Sequence, residues 1–118
     1  MLVRKFETGA TRDLDDNKYD YEAFFSPLVA ERRAAFMHSK RKMADGSMRD
    51  GDNWQKGIPL NSLAKSESRH HQEFWKLHRG YPAFDEKGNP VEMEDAICAL
   101  MFNLEGYLFE LLKRKLEK

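Results

Sequence analysis

The run EDAICALMFNLEGYLFELLKRKLEK, residues 94–118, constrains the fold more than any other part of the chain. Ala96, Ile97, Leu100, Met101, Leu104, Tyr107, Leu108, Leu111 and Leu112 recur every three or four residues, which predicts an amphipathic helix with a continuous apolar stripe. Glu92, Glu94 and Asp95 fall in its first turn, and Lys113, Arg114, Lys115 and Lys118 close it. Both ends complement the helix dipole. A second seam runs beside the stripe, through Asp95, Ala99, Asn103, Gly106 and Glu110. Gly106 costs about 1 kcal/mol inside a helix relative to alanine, which close helix packing or a ligand against the backbone would explain. Asn103, between Phe102 and Leu104, is expected to be buried and hydrogen-bonded. Asp95 reads as a first-turn acid and Glu110 as a solvated side chain.

Two further helices are expected. Ser26-Pro27 is a start signal, with serine at the N-cap and proline at the first helical position. Leu28, Arg32, Ala35, Phe36, Ser39 and Met43 then predict a helix over about 27–43, and Asp20 can cap a short turn before it. Leu60, Leu63, Ala64, Glu67, His70 or His71, Phe74 and Leu77 or His78 predict a helix over about 60–79. Between the helices lie two substantial loops, ADGSMRDGDNWQKGIP and RGYPAFDEKGNP, the latter with a strong turn signal at Lys87-Gly88-Asn89-Pro90. Trp54, inside the first loop, either plugs the core or offers a face to a ligand. Residues 1–19 read as an arm or loop, and no segment alternates long enough to predict a strand. The expected fold is all-α: one domain over residues 1–118, with residues 20–118 as the helical core, a bundle of about three long helices. Three such helices leave apolar surface uncovered, so a homo-oligomer is expected.

The chain has 118 residues, 41% of them hydrophobic and 34% charged, a globular composition. Twenty basic and twenty acidic residues cancel. No uniform field for nucleic acid results, although residues 32–42 are locally basic, and no nucleic-acid partner is expected. Cys98, the single cysteine, forms no intrachain disulfide and reads as a buried thiol. Neither a membrane span nor a signal-peptide hydrophobic run is evident, so a cytoplasmic protein is expected.

The chemistry concentrates in RHHQEFWKLHRGY, residues 69–81. His71 and His78 share a helix face, Glu67 and His71 are i,i+4 neighbours, and His70 and Glu73 are i,i+3 neighbours. Neither His-Glu-x-x-His nor paired Cys-x-x-Cys is present, so the strong zinc signatures are absent. A histidine bonded at the core margin is the plainer reading. Glu92 and Asp95 stand three apart and can share Mg²⁺ when a neighbouring helix supplies another acid. No Gly-x-Ser-x-Gly, phosphate-binding loop or dinucleotide fingerprint occurs.

Four stretches occur in order: KFETGATRD with KYDYE and SPL; SMRDGDNWQKGIP; RHHQEFWKLHRGY; and EDAICALMFNLEGYLFELLK. Together, from about Arg4 to Lys113, they resemble the N-terminal domain of phage dATP/dGTP diphosphohydrolases. The resemblance rests on His70, Glu73, Trp75, His78, Asn103 and Gly106-Tyr107, while Phe109 stands where a histidine is common. It implies purine deoxynucleotides as ligands. It also implies metal-dependent release of pyrophosphate, carried out in the full-length enzymes by a separate following domain. The expectation is therefore a free-standing accessory domain, phage-derived and acting in the host cytoplasm if phage-encoded.

The residue types agree with a nucleotide partner. Arg12, Arg69 and Arg79 can hold phosphates in bidentate fashion. Trp54, Trp75 and Tyr107 can stack on a base. His70, Glu73, His78 and Asn103 can read polar edges. The expected function is binding or sequestering a purine nucleotide or nucleotide-derived signal, with countering host defence as the expected use. No cofactor is required for that. The alternative is a Mg²⁺-dependent nucleoside triphosphate diphosphohydrolase, with Glu73 and Asp95 catalytic and Glu73, Glu92 and Asp95 on the metal. A module that binds only protein is the second alternative.

Overall fold

The computed structural model describes residues 3–13 and 17–117. Along the chain come strands β1 (Val3–Lys5) and β2 (Thr11–Asp13), then helices α1 (Tyr21–Phe24) and α2 (Pro27–Ser39). A 3₁₀ turn at Asn53–Lys56 precedes α3 (Leu60–His78) and α4 (Met93–Leu116). Contacts divide the chain into two units, Met1–Glu31 and Arg32–Lys118. The fold is mostly helical, with three long helices, but the two strands make it not purely all-α. No described helix is long and apolar enough to cross a membrane.

The strands correct the expectation that no segment forms a strand. β1 and β2 pair antiparallel, Val3 with Asp13 through Lys5 with Thr11. Three-residue strands are too short to show a period of two, so hydrophobic patterning passes over them. Their turn carries the information instead. The Phe6 N–H donates to Ala10 O at 2.8 Å, the Gly9 N–H donates to Phe6 O at 2.9 Å, and Gly9 takes φ 91°. A short loop closed by a left-handed glycine is a common hairpin geometry. It recurs at Met43–Ser47 around Gly46 and at Asp85–Asn89 around Gly88, each flanked by an isolated bridge, Lys42 with Met48 and Phe84 with Pro90. Residues 14–16 of the expected arm, and Lys118 at the far end of the last helix, lie outside the described residues.

The second of these turns shortens α2. Met43 continues the helical pattern, yet the helix ends at Ser39. The Arg49 N–H donates to Arg41 O at 2.8 Å, and Arg41 Nε donates to Arg49 O at 2.7 Å, which folds residues 40–49 back on themselves. The start signals behave as the residues suggest. The Asp20 side chain accepts from the Ala23 N–H at 3.0 Å, and Ser26 Oγ accepts from the Val29 N–H at 3.3 Å. In the first unit Tyr19, Tyr21, Phe24 and Phe25 are all exposed, and Tyr21 stacks on Phe25 at 6.2 Å.

The second unit is organised by α3 against α4, which run antiparallel. Among the described residues the buried apolar side chains are Leu63, Ala83, Ala96, Cys98 and Ala99. Buried on α4 are Ala96, Cys98, Ala99, Asn103 and Gly106. The side of the helix with small residues therefore faces inward. A Cβ added at Gly106 would lie 3.2 Å from Leu63 Cδ2. Close helix packing accounts for this glycine. Asn103 is 5% exposed, and its amide donates to Ala99 O at 2.9 Å. The leucine stripe does not form the core of the chain: Ile97, Leu104, Leu108, Leu111 and Leu112 are exposed. Glu110 is not simply solvated either, since its Oε2 is buried without a hydrogen-bond partner among the described residues.

Two outcomes are expected. Gly106→Val drives two methyl groups into Leu63, and urea denaturation should show a loss of about 1–3 kcal/mol, as overpacking does. The second outcome concerns pH. Asp85 Oδ1 accepts from the Asn89 N–H at 2.8 Å and the Lys87 N–H at 2.9 Å, which holds its carboxyl below the ordinary range. A depressed folded pKa gives stability that is present above the unfolded value of about 3.9. That stability is lost as pH falls through the lower folded value. An NMR titration should place the Asp85 midpoint below that of an exposed aspartate, and Asp85→Asn should remove this part of the acid dependence.

Candidate functional site

A cavity of about 350 Å³ collects side chains from three helices. α3 contributes Ser66, His70 and Glu73, spaced four and three apart so that they share one face. α4 contributes Asp95, Phe102 and Asn103, and Phe36 and Lys40 come from the end of α2. Inside it, His70 Nδ1 lies 2.8 Å from Glu73 Oε1, with Glu73 15% and His70 32% exposed. With Nδ1–H donating to the carboxylate, Nε2 is left as an acceptor, or as a second donor when the ring is protonated. The carboxylate thus fixes which imidazole edge remains for a ligand.

Asp95 is held from outside the cavity. Arg32 Nη2 donates to Asp95 Oδ1 and Arg32 Nε to Glu94 Oε1, both at 2.7 Å. Asp95 first, then Glu94, raise the guanidinium pKa above its already high ordinary value. About three turns further along α4, Arg33 pairs with Glu105 at 2.8 Å.

Two more cavities adjoin this one. The larger, about 760 Å³, shares Lys40, His70, Glu73 and Asp85 with it and adds Arg69, Lys76, Glu86 and Lys87. One of its cations has an acid close by on the same walls: Arg69 lies 3.5 Å from Glu86. The third, about 430 Å³, shares Phe36, Lys40 and Phe102 and adds Trp54, Met37, Arg41 and Arg49. Trp54 meets Phe102 edge-on at 6.2 Å between centroids and Phe109 at 5.0 Å. It therefore packs against α4 and lines a cavity at once.

The sequence-predicted site is divided by this geometry. His70, Glu73, Asn103 and Asp95 come together, with Arg69 next to them and Trp54 beyond Phe102. Trp75, His78, Arg79 and Tyr107 line none of the three cavities. Trp75 is 50% exposed, and His78 stacks on Phe74 at 6.3 Å. Arg79 caps α3 through its backbone N–H. On α3 the reason is rotational: at about 100° per residue, Trp75 and His78 fall on the side opposite Ser66, Glu73 and Lys76. Arg12 belongs to β2 in the first unit. Glu92 is the N-cap of α4 and lines none of these walls. Among the described residues no three His, Cys, Asp or Glu side chains converge in a way that could hold a metal ion. Glu73 and Asp95 share a cavity, but Glu92 does not complete a set.

Phe36, Lys40, Ser66, Lys76 and Phe102 were missed. Ser66 and Lys76 could have been found by extending the His70–Glu73 face by one turn each way. Lys40 and Phe36 carry no such signal, because a tertiary contact brings α2 there. Comparisons with protein-family models, curated proteins and solved structures give no match to this chain.

Arg32 is expected to hold the end of α2 in place over the cavity. In Arg32→Ala, hydrogen exchange should quicken for amides of residues 32–39 while α3 and α4 keep their protection. Uniform protection across all three helices would show that the guanidinium is dispensable for that position.

Proposed function

We propose that this chain binds a purine nucleotide or a nucleotide-derived signal molecule and sequesters it. The supporting observation is that Phe36, Lys40 and Phe102 line both the aromatic cavity at Trp54 and the polar cavity at His70 and Glu73. A nucleotide needs such a divided site: flat apolar walls for the base, and donors with positive charge for the phosphates. In this reading the base lies toward Trp54, Phe36 and Phe102. Phosphates lie toward Lys40, Arg69 and Lys76, and His70, Glu73 and Asn103 read polar edges. The protein acts in the cytoplasm, the host's if it is phage-encoded, as a homo-oligomer, and countering host defence is the use that fits sequestration.

One observation favours a second reading, that of a Mg²⁺-dependent diphosphohydrolase acting on dATP or dGTP. Glu73 and Asp95 line one cavity. Mg²⁺ is often bound by one or two carboxylates plus substrate phosphates, so a third protein acid is not required. A module that binds only protein is favoured by the exposed leucines of α4 alone.

Incubation with a nucleotide panel, analysis of products, and recovery of ligand from heat-denatured protein separate binding from hydrolysis. Lys40→Ala and Arg69→Ala should each weaken calorimetric affinity by roughly ten- to a hundredfold, the worth of one charge-assisted contact. Arg79→Ala, on the same helix but off the cavities, should leave affinity unchanged. If Lys40→Ala and Arg69→Ala stay folded and bind as the parent does, the site assignment is wrong. If turnover is found, Asp95→Asn should abolish it, and turnover surviving excess chelator would remove the metal reading.

A further inference from the structure

α4 carries a face of small residues and, apart from it, a face of large apolar ones. Ala96, Ala99, Asn103 and Gly106 meet α3. Roughly 140° around the helix, at 100° per residue, lie Ile97, Leu104, Leu108, Leu111 and Leu112, between 38% and 58% exposed. With Leu100 and Met101 these fall at the heptad positions of a helix–helix seam. Isolated exposed leucines are ordinary surface, but a row of them along one helix face is an unpartnered interface.

We propose that this face is covered by α4 of a second copy of the chain, running antiparallel about a two-fold axis near Leu104 and Glu105. The pairing makes the homo-oligomer of the proposed function specific and is independent of nucleotide binding. Charge selects the direction. Glu92, Glu94 and Asp95 occupy the N-terminal turn, and Lys113, Arg114 and Lys115 the last turn. Arg32 offsets part of the acidic end, through Glu94 and Asp95. A parallel pair sets acids against acids and bases against bases; an antiparallel pair sets each acidic end against a basic one. The helix dipoles favour the same direction. Register follows from the span Met93–Leu116, whose midpoint lies between residues 104 and 105. About that point Ile97 faces Leu112, Met101 faces Leu108, and Glu94 faces Lys115, so apolar meets apolar and opposite charges meet. One patch on both subunits is the requirement of a closed two-fold dimer.

The test uses the full chain. Light scattering after size exclusion at micromolar concentration should give a dimer or a multiple of it. Leu104→Glu with Leu108→Glu should raise the dimer dissociation constant by about a hundredfold or more, since each protomer would bring two charges to the seam. Circular dichroism should remain helical, because both positions are already exposed in the protomer. Direction is read separately, in a Cys98→Ala background that keeps the native seam. Mixed Ile97→Cys and Leu112→Cys chains should join through a short thiol cross-linker, and Ile97→Cys alone should not. A monomeric parent overturns both the oligomer and the pairing. An oligomer that survives the double glutamate variant, or Ile97→Cys chains that cross-link to one another, overturns the pairing alone.

Discussion

The close approach of α3 to α4 at Leu63 and Gly106 sets the terms for the rest of the second unit. A glycine in mid-helix costs about 1 kcal/mol in propensity, and here it leaves the space that Leu63 fills, with 3.2 Å to where a Cβ would stand. Ala96 and Ala99 continue that narrow seam. Asn103 can sit within it because its amide turns back to Ala99 O, so no donor is stranded in a dry contact. Once the small side of α4 faces α3, the large side chains must point elsewhere. Phe102 and Phe109 turn toward Trp54, and the leucines turn to the remaining side. The order of sides around one helix thus follows from which residues are small.

α2 relates to this pair in another way. Close backbone packing among helices is confined to α3 and α4, with the 3₁₀ turn also against α4. α2 reaches α4 through long arginine arms, Arg32 to Glu94 and Asp95, and Arg33 to Glu105. A helix held at arm's length leaves space beside it, and the two cavities lined by Phe36, Lys40 and Phe102 occupy that space. Exposed ion pairs contribute little stability individually. Their effect here is positional: they fix where Phe36 and Lys40 stand relative to His70 and Glu73.

Much of the helical framework was legible in the residues. Ser26-Pro27, the periodicity of 60–79 and the acidic and basic ends of α4 each correspond to an observed boundary. Asn103 and Cys98 are buried as their neighbours suggested. The failures have distinct causes. The hairpin and the two isolated bridges depend on a glycine at one turn position, a signal that periodicity does not register. Met43 matched a helical period by chance while Asp45-Gly46 specified a turn. The leucine stripe was legible as an apolar face, but hydrophobicity does not say what covers such a face. Residues 69–81 were read as one motif, but a helix distributes consecutive residues around its axis, so Arg69, His70 and Glu73 part company with Trp75, His78 and Arg79.

Trp54 shows how helix packing and cavity lining meet. Its polar loop left open whether it fills the core or faces a ligand. It packs against Phe102 and Phe109 of α4 and also lines the aromatic cavity. Phe102 precedes Asn103, so consecutive residues of one helical turn serve the aromatic cavity and the α3 seam. Phe102 also borders the His70 cavity. Any change that shifts α4 along α3, even far from the cleft, must move the aromatic wall and the polar wall together. The aromatic cavity and the polar cavity therefore both depend on the helix packing at Gly106.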